Sequence, residues 1–290
     1  MDESKLYNAL LRSQQERRKR SSESGEARAE DNFRKERPFA GATTAQPNWV
    51  RIETDEESKP TVYDSSVSLG MIGNPRPWNR EQMRMRKIIY PGMANKAILD
   101  AYREIRIQLR NRAGENNFSV LFSSLGNGEG SILTAFNLAV SFALDAHTSA
   151  LLVDCDPYSS ALPELVSTPM EYGLTDFVAD SSLAIKDIIY PSGIERLSAI
   201  SAGTQASSAV ELFSSVRMKQ LMGELKQRYP DRCIIINAPP FRLSTEARIL
   251  VRYADQIVFG VPFGKVTGDE LMDSMDALGS DKFSGLIFQE

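Results

Sequence analysis

Phe118-Ser-Val-Leu-Phe122, followed by Ser123-Ser-Leu-Gly-Asn-Gly-Glu-Gly-Ser-Ile-Leu-Thr-Ala-Phe-Asn-Leu-Ala139, is the stretch on which the fold turns. A short apolar strand runs into a turn with Gly126, Gly128 and Gly130, and an apolar helix follows. Such a turn presents backbone N–H groups and a helix N-terminus, both of which favour phosphate. A working loop of this kind continues Gly-Lys-Ser/Thr, with the lysine on the outer phosphates and the hydroxyl on magnesium. Here Gly130 is followed by Ser131 and Ile132, so the scaffold is present and both chemical groups are missing.

Outward from the loop, apolar runs of strand length alternate with longer helical stretches. Phe118–Phe122, Ala150–Val153, Cys233–Ile236, Gln256–Val261 and Phe283–Phe288 are the strand candidates. Near-continuous apolar strands separated by helices predict an α/β fold, a mainly parallel sheet covered by helices on both faces. Any ligand then belongs at the carboxyl ends of the strands. The pattern begins near Tyr90, which sets a folded domain over 91–290. Residues 21–90, rich in Ser, Glu, Arg, Pro and Thr, read as a disordered linker. In 1–20, Leu6, Tyr7, Leu10 and Leu11 give a short amphipathic helix, and Arg17, Arg18, Lys19 and Arg20 a basic run. A helix this short needs a surface to dock on.

The formal charge of -4 over 290 residues is modest, so nucleic acid is not an expected partner. No window reaches the roughly 18 apolar residues of a membrane span, and the N-terminus lacks a signal-peptide core, which places the expected location in the cytosol. Cys155 and Cys233 sit in apolar runs without metal-ligand spacing and read as buried hydrophobes. Cys155 lies between Asp154 and Asp156, whose charges raise a thiol pKa, so it is rejected as a nucleophile. His147, the only histidine, follows a helix and carries no catalytic expectation. No metal site is expected.

An ordered set of further segments resembles the bacterial tyrosine kinases of polysaccharide export, members of the P-loop NTPase superfamily with MinD/ParA-like architecture. Gly128, Glu129, Gly130, Asn137, Leu138 and Ala139 match that family's loop and the Asn-Leu-Ala beyond it. Leu151-Leu-Val-Asp-Cys-Asp156 resembles the second Walker motif, and Cys233-Ile-Ile-Ile-Asn-Ala-Pro-Pro240 the Walker B strand. Asp100-Ala-Tyr-Arg-Glu-Ile-Arg106 resembles the family's oligomerisation helix, which implies homo-oligomer contacts through Asp100, Arg103 and Arg106. Gly203-Thr204, Glu211–Ser215 and Glu246-Ala247-Arg248 fit later landmarks.

The resemblance implies that Gly128, Glu129, Gly130, Ser131, Ile132 and Asn237 occupy cofactor-binding positions, with ATP and Mg2+ as the ligands, and that Asp154 and Asp156 stand at catalytic ones. It departs at the lysine (Ser131), the hydroxyl (Ile132) and the Walker B aspartate (Asn237), and no tyrosine cluster follows up to Glu290. Losing a positive charge about 4 Å from a phosphate costs on the order of 4 kcal/mol at an effective dielectric near 20. That is roughly a thousandfold in rate or affinity. Between Arg112 and Lys186 the chain has no Lys or Arg, so a substitute has to come from Arg103, Arg106, another subunit or a partner. Asn237 also holds a magnesium-bound water less strongly than a carboxylate.

The expected function is therefore that of a kinase-like protein, a pseudo-kinase, regulating or assembling bacterial exopolysaccharide synthesis or export. Its implied partner is an inner-membrane polysaccharide co-polymerase or export protein that holds it at the membrane, with the N-terminal helix as docking segment. Two alternatives stay open. One is an active tyrosine autokinase or ATPase with its cation supplied in trans, acting on a partner or on Tyr7, Tyr63 or Tyr90. The other is a ParA- or MinD-like partitioning ATPase, against which the Asp100–Arg106 helix and the long N-terminal extension count.

Overall fold

In the computed structural model of the chain, the described residues are 74–289 apart from 115–116, 129, 160, 205–206, 208, 229–231 and 280. The helix and basic run read over 1–20, the linker up to residue 73, and Glu129 lie outside them.

Seven strands form one sheet in the order β3-β4-β2-β5-β1-β6-β7. They are β1 (Ser119–Ser124), β2 (Ser149–Asp154), β3 (Tyr190–Pro191), β4 (Leu197–Ile200), β5 (Arg232–Ala238), β6 (Gln256–Pro262) and β7 (Phe283–Gln289). Every pairing is parallel except β3 with β4 at one edge. The helices are α1 (Arg80–Met85), α2 (Lys96–Ala113), α3 (Ser131–Ala143), α4 (Leu162–Leu165), α5 (Leu174–Ala179), α6 (Ala209–Ser214), α7 (Val216–Arg228), α8 (Thr245–Leu250) and α9 (Gly268–Leu278). The α/β class and the parallel sheet read from the sequence are the observed ones.

The strands are apolar throughout because successive side chains serve opposite cores. Leu121, Leu151, Val153, Ile234, Ile236 and Phe259 face a core closed by α5 to α9. Their neighbours Val120, Phe122, Leu152, Ile235 and Val258 face a second core, closed by α2 and α3. Helix α3 is buried along almost its whole length, as its run of Ile132, Leu133, Ala135, Phe136, Leu138 and Val140 requires.

The domain does not begin near Tyr90. Residues 74–90, read as the end of the linker, are packed on the fold. Ile88 and Ile89 are each 1% exposed in the second core. The Ile89 amide donates to Asn137 Oδ1 at 3.0 Å, and Asn137 Nδ2 donates to the Lys87 carbonyl at 3.0 Å, so one buried side chain on α3 clamps the strap. Upstream, Trp78 donates its backbone amide to Gly193 and its indole N–H to the Leu165 carbonyl, each at 2.9 Å. The Arg86 guanidinium lies 4.0 Å over the indole ring. The aromatic ring, two isoleucines and satisfied backbone groups outweigh a composition that reads as unstructured.

Candidate functional site

The turn after β1 reaches the carboxyl end of the sheet beside the ends of β2 and β5, where Asp154 pairs in register with Asn237. Gly128 and Gly130 take φ +83° and +74°, a region open to glycine at little cost. A Cβ on Gly128 would lie 2.9 Å from Pro240 Cγ, and one on Gly126 2.6 Å from Pro262 Cγ, so two prolines from the β5 and β6 ends press on the loop. The turn lies where the sequence leads one to expect a phosphate loop, between β1 and α3. Part of its donor set is spent inside the fold: the Ser131 amide donates to the Gly128 carbonyl at 3.0 Å and the Gly126 amide to Ser124 Oγ at 3.1 Å.

The three altered positions have a common outcome. Ser131 Oγ donates to Asn237 Oδ1 at 3.2 Å, and Asn237 Nδ2 donates to Asp154 Oδ1 at 2.8 Å. Ile132 is buried and belongs to the second core. Where a lysine, a hydroxyl and a carboxylate would converge on phosphate and metal, a hydroxyl–amide–carboxyl chain without a cation runs through the protein and an apolar side chain fills the core. Ser131, Asn237 and Asp154 are 3%, 0% and 1% exposed.

Burial pushes the Asp154 carboxyl up to about 7, against the lowering effect of the bond from Asn237. Burial also raises Asp156, partly offset by the Tyr158 amide that donates to its Oδ1. The two carboxylates do stand at the strand end, as the sequence implied, and the Asp156 amide donates to Asp154 Oδ1 at 3.1 Å. The Cys155 thiol between them is raised well above its usual range by burial, then by Asp154 and Asp156, in keeping with its rejection as a nucleophile.

Neither Arg103 nor Arg106 reaches the loop. Arg103 pairs with Asp100 at 3.0 Å on the exposed face of α2, and Arg106 donates to the Ser141 carbonyl at 2.7 Å. Ser141 is ten residues along α3 from Ser131, about 15 Å at 1.5 Å per residue. The two arginines expected to act together on a neighbouring subunit thus face different partners. Two groups at the site were not singled out as site residues. Tyr158 Oη donates to Glu246 Oε1 at 2.6 Å, and Ser244 Oγ donates to Glu246 Oε2 at 2.6 Å. Burial alone would raise Glu246, but these bonds outweigh it and hold the carboxylate below its usual range. Tyr158 is pushed up to about 12 by the same bond. Its position two residues past Asp156 was the available signal.

An open cavity of about 490 Å³ lies elsewhere, lined by Met170, Glu171, Tyr172, Leu183, Asp187 and Tyr190. Its two carboxylates disfavour an anion, so it does not replace the loop as a phosphate site.

No protein-family model matches the chain. Among curated proteins it is similar to tyrosine-protein kinase YwqD of Bacillus subtilis (strain 168), at 27% identity over 205 residues, 70% of this chain and 85% of that one. It is also similar to tyrosine-protein kinase CpsD of Streptococcus agalactiae, at 26% over 182 residues, 61% of this chain and 77% of that one. Among solved structures, the chimerical protein CapA2B2 superposes with a TM-score of 0.62 at 21% identity, over 78% of this chain and 98% of that one. The kinase domain of Escherichia coli tyrosine kinase ETK does so with 0.60 at 22%, over 66% and 74%. The resemblance to bacterial tyrosine kinases thus holds in sequence, and the solved structures share the fold.

Proposed function

We propose that this chain is a kinase-like protein that keeps the phosphate-loop scaffold without strong phosphoryl transfer. Its role on this reading is that of a regulator or assembly partner in bacterial exopolysaccharide synthesis or export. The observation that carries the reading is the Ser131–Asn237–Asp154 chain of hydrogen bonds, which ties up the positions where ATP chemistry needs a cation and a metal-holding carboxylate. With Ile132 in the core as well, the residues present do not fit magnesium and ATP.

The process and the partner, an inner-membrane polysaccharide co-polymerase or export protein, follow from the resemblance to tyrosine kinases. On this reading that partner holds the chain peripherally on the cytosolic side of the membrane; no helix among the described residues is long and apolar enough to cross a membrane. The exposed Asp100 and Arg103 on α2 support a contact between copies there.

Calorimetric titration of the full chain with ATP and magnesium tests the reading, with a Ser131→Lys, Ile132→Thr, Asn237→Asp variant as control. Binding by the restored variant alone is expected. The retained carboxylates Asp154 and Asp156 favour the second reading, an active kinase completed by a cation in trans. Micromolar binding by the native chain, or ATP-dependent phosphotyrosine on it, would establish that alternative.

A further inference from the structure

The open cavity of about 490 Å³ adjoins a second, of about 320 Å³, and the two share Glu171, Tyr172 and Leu183 as a common wall. Together they form one groove, whose sides are tied to each other by Tyr190 of β3. Its Oη accepts the amides of Glu171 and Tyr172 at 3.1 and 3.0 Å and donates to the Asp187 carbonyl at 2.9 Å. With that hydroxyl spent on backbone, what Tyr190 offers a ligand is its ring. Tyr172 is 40% exposed and hydrogen-bonds the Glu171 carboxylate. Met170 and Leu183 add apolar lining suited to methylene groups.

The charged groups that line the groove are all acidic: Glu171 and Asp187 in the first cavity, Glu171, Asp176 and Asp180 in the second. None of these carboxylates forms an ion pair among the described residues. Asp176 is occupied within the fold, by the Gly173 amide and by Thr204. The others are not fully used. Asp180 takes the Ser182 amide and hydroxyl on Oδ1, and these bonds hold its carboxyl below the usual range. Asp187 takes the Ala184 amide on Oδ2. Each keeps its second oxygen for a ligand. Two cations stand nearby. Arg217 is committed to the carbonyls of Phe177, Asp180 and Leu183 and to the Phe177 ring, and Lys186, exposed beside Asp187, lines neither cavity.

Tyrosine rings beside carboxylates recognise an ammonium group, through the ring face and through charge-assisted hydrogen bonds. Among the described residues no three His, Cys, Asp or Glu gather as metal ligands do, so the acidic groups are spread along the groove rather than focused on one ion. One ammonium group would serve one cavity, whereas cations spaced along an aliphatic chain serve both. We propose that this groove binds a linear polyamine, its methylenes on Tyr172, Tyr190 and Leu183 and its ammonium groups on Asp187, Glu171 and Asp180. The site shares no residue with the phosphate loop and does not depend on whether that loop binds ATP.

Calorimetric titration of the full chain with spermidine tests it, with butylamine and magnesium chloride titrated in parallel. Saturable binding of one spermidine is expected, at least about tenfold tighter than either comparison ligand. Glu171→Gln/Asp187→Asn removes two charges and keeps the shape and the acceptor oxygen of each side chain. Tyr172→Ala removes a ring. Each should weaken spermidine at least about tenfold with an unchanged unfolding midpoint. Asp269→Asn/Asp273→Asn, an exposed acidic pair on α9, should leave binding as it was. No saturable binding, magnesium or butylamine binding as tightly, or equal weakening by the α9 pair would each overturn the proposal. Tighter binding of the peptide acetyl-Lys-Leu-Lys-amide than of spermidine would overturn it in favour of a basic protein segment.

Discussion

The side-chain amide of Asn237 donates to Asp154 Oδ1 at 2.8 Å across the adjacent ends of β5 and β2. That bond, with the Ser131 hydroxyl behind it, and the Asp156 amide at 3.1 Å are what lower the Asp154 carboxyl against its burial. A pH dependence follows. Because the folded value, about 7, is raised above the usual 3.8, stability from this group is full below about pH 4 and lost as pH rises through 7. Unfolding free energy should fall over that window with a slope of at most about 1.4 kcal/mol per pH unit. Asp154→Asn should flatten most of it, leaving the smaller contribution of Asp156. Denaturant titrations at several pH values decide the matter, and parallel profiles for the two proteins would remove Asp154 as the cause.

Asn237→Asp would set a second carboxylate beside Asp154 with nothing to balance it. A cost of about 2–4 kcal/mol at pH 8, largely relieved at pH 5, is expected. Adding Ser131→Lys to that variant should recover most of the loss. Urea midpoints at the two pH values measure both effects, and an unchanged midpoint in Asn237→Asp would mean that the pocket is less dry than its burial implies.

The clamp on the strap is equally specific. Asn137→Ala removes both bonds to Lys87 and Ile89, a loss of about 2 kcal/mol, and should speed tryptic cleavage at Arg84, Arg86 and Lys87. Deleting residues 1–90 should cost much more stability than deleting 1–73, since only the longer deletion removes Ile88 and Ile89 from the core. Equal midpoints for the two truncations would return 74–90 to the status of a linker.

Loop glycines separate two kinds of cost. Gly128→Ala meets both a positive φ and the Pro240 ring, for about 2–3 kcal/mol. At Gly130 an added Cβ meets nothing within 4 Å, leaving a backbone cost of about 1–2 kcal/mol. Thermal melts of the two alanine variants rank them, and the reverse order would contradict the packing of the proline on the loop.

The strands that carry the loop were legible because each is buried on both faces and so reads as an apolar run. Strands β3 and β4 were not. Tyr190–Pro191 is two residues long, and Leu197-Ser-Ala-Ile200 is broken by Ser198, whose burial no periodicity announces. The strap was misread because its apolar residues, Trp78, Met83, Ile88 and Ile89, follow neither a helical nor a strand period, and their partners lie far along the chain. In the site, the missing lysine, hydroxyl and aspartate could be read from single positions. That Ser131 and Asn237 bond to each other could not, since 106 residues separate them. Nor could the destination of Arg106, a backbone carbonyl, which leaves no mark in a sequence.

The strap has a mechanical consequence. Tension applied to the chain ahead of Asn74 would be carried first by the bond from the Gly193 amide to Asn74 Oδ1, then by Trp78, and last by the Asn137 clamp. These contacts act one after another, as in a zipper, while parallel strands resist together. A pull on the N-terminal side would therefore peel the strap away before straining the sheet. The last contact to yield sits midway along α3, about two turns from the N-terminus that follows the phosphate loop.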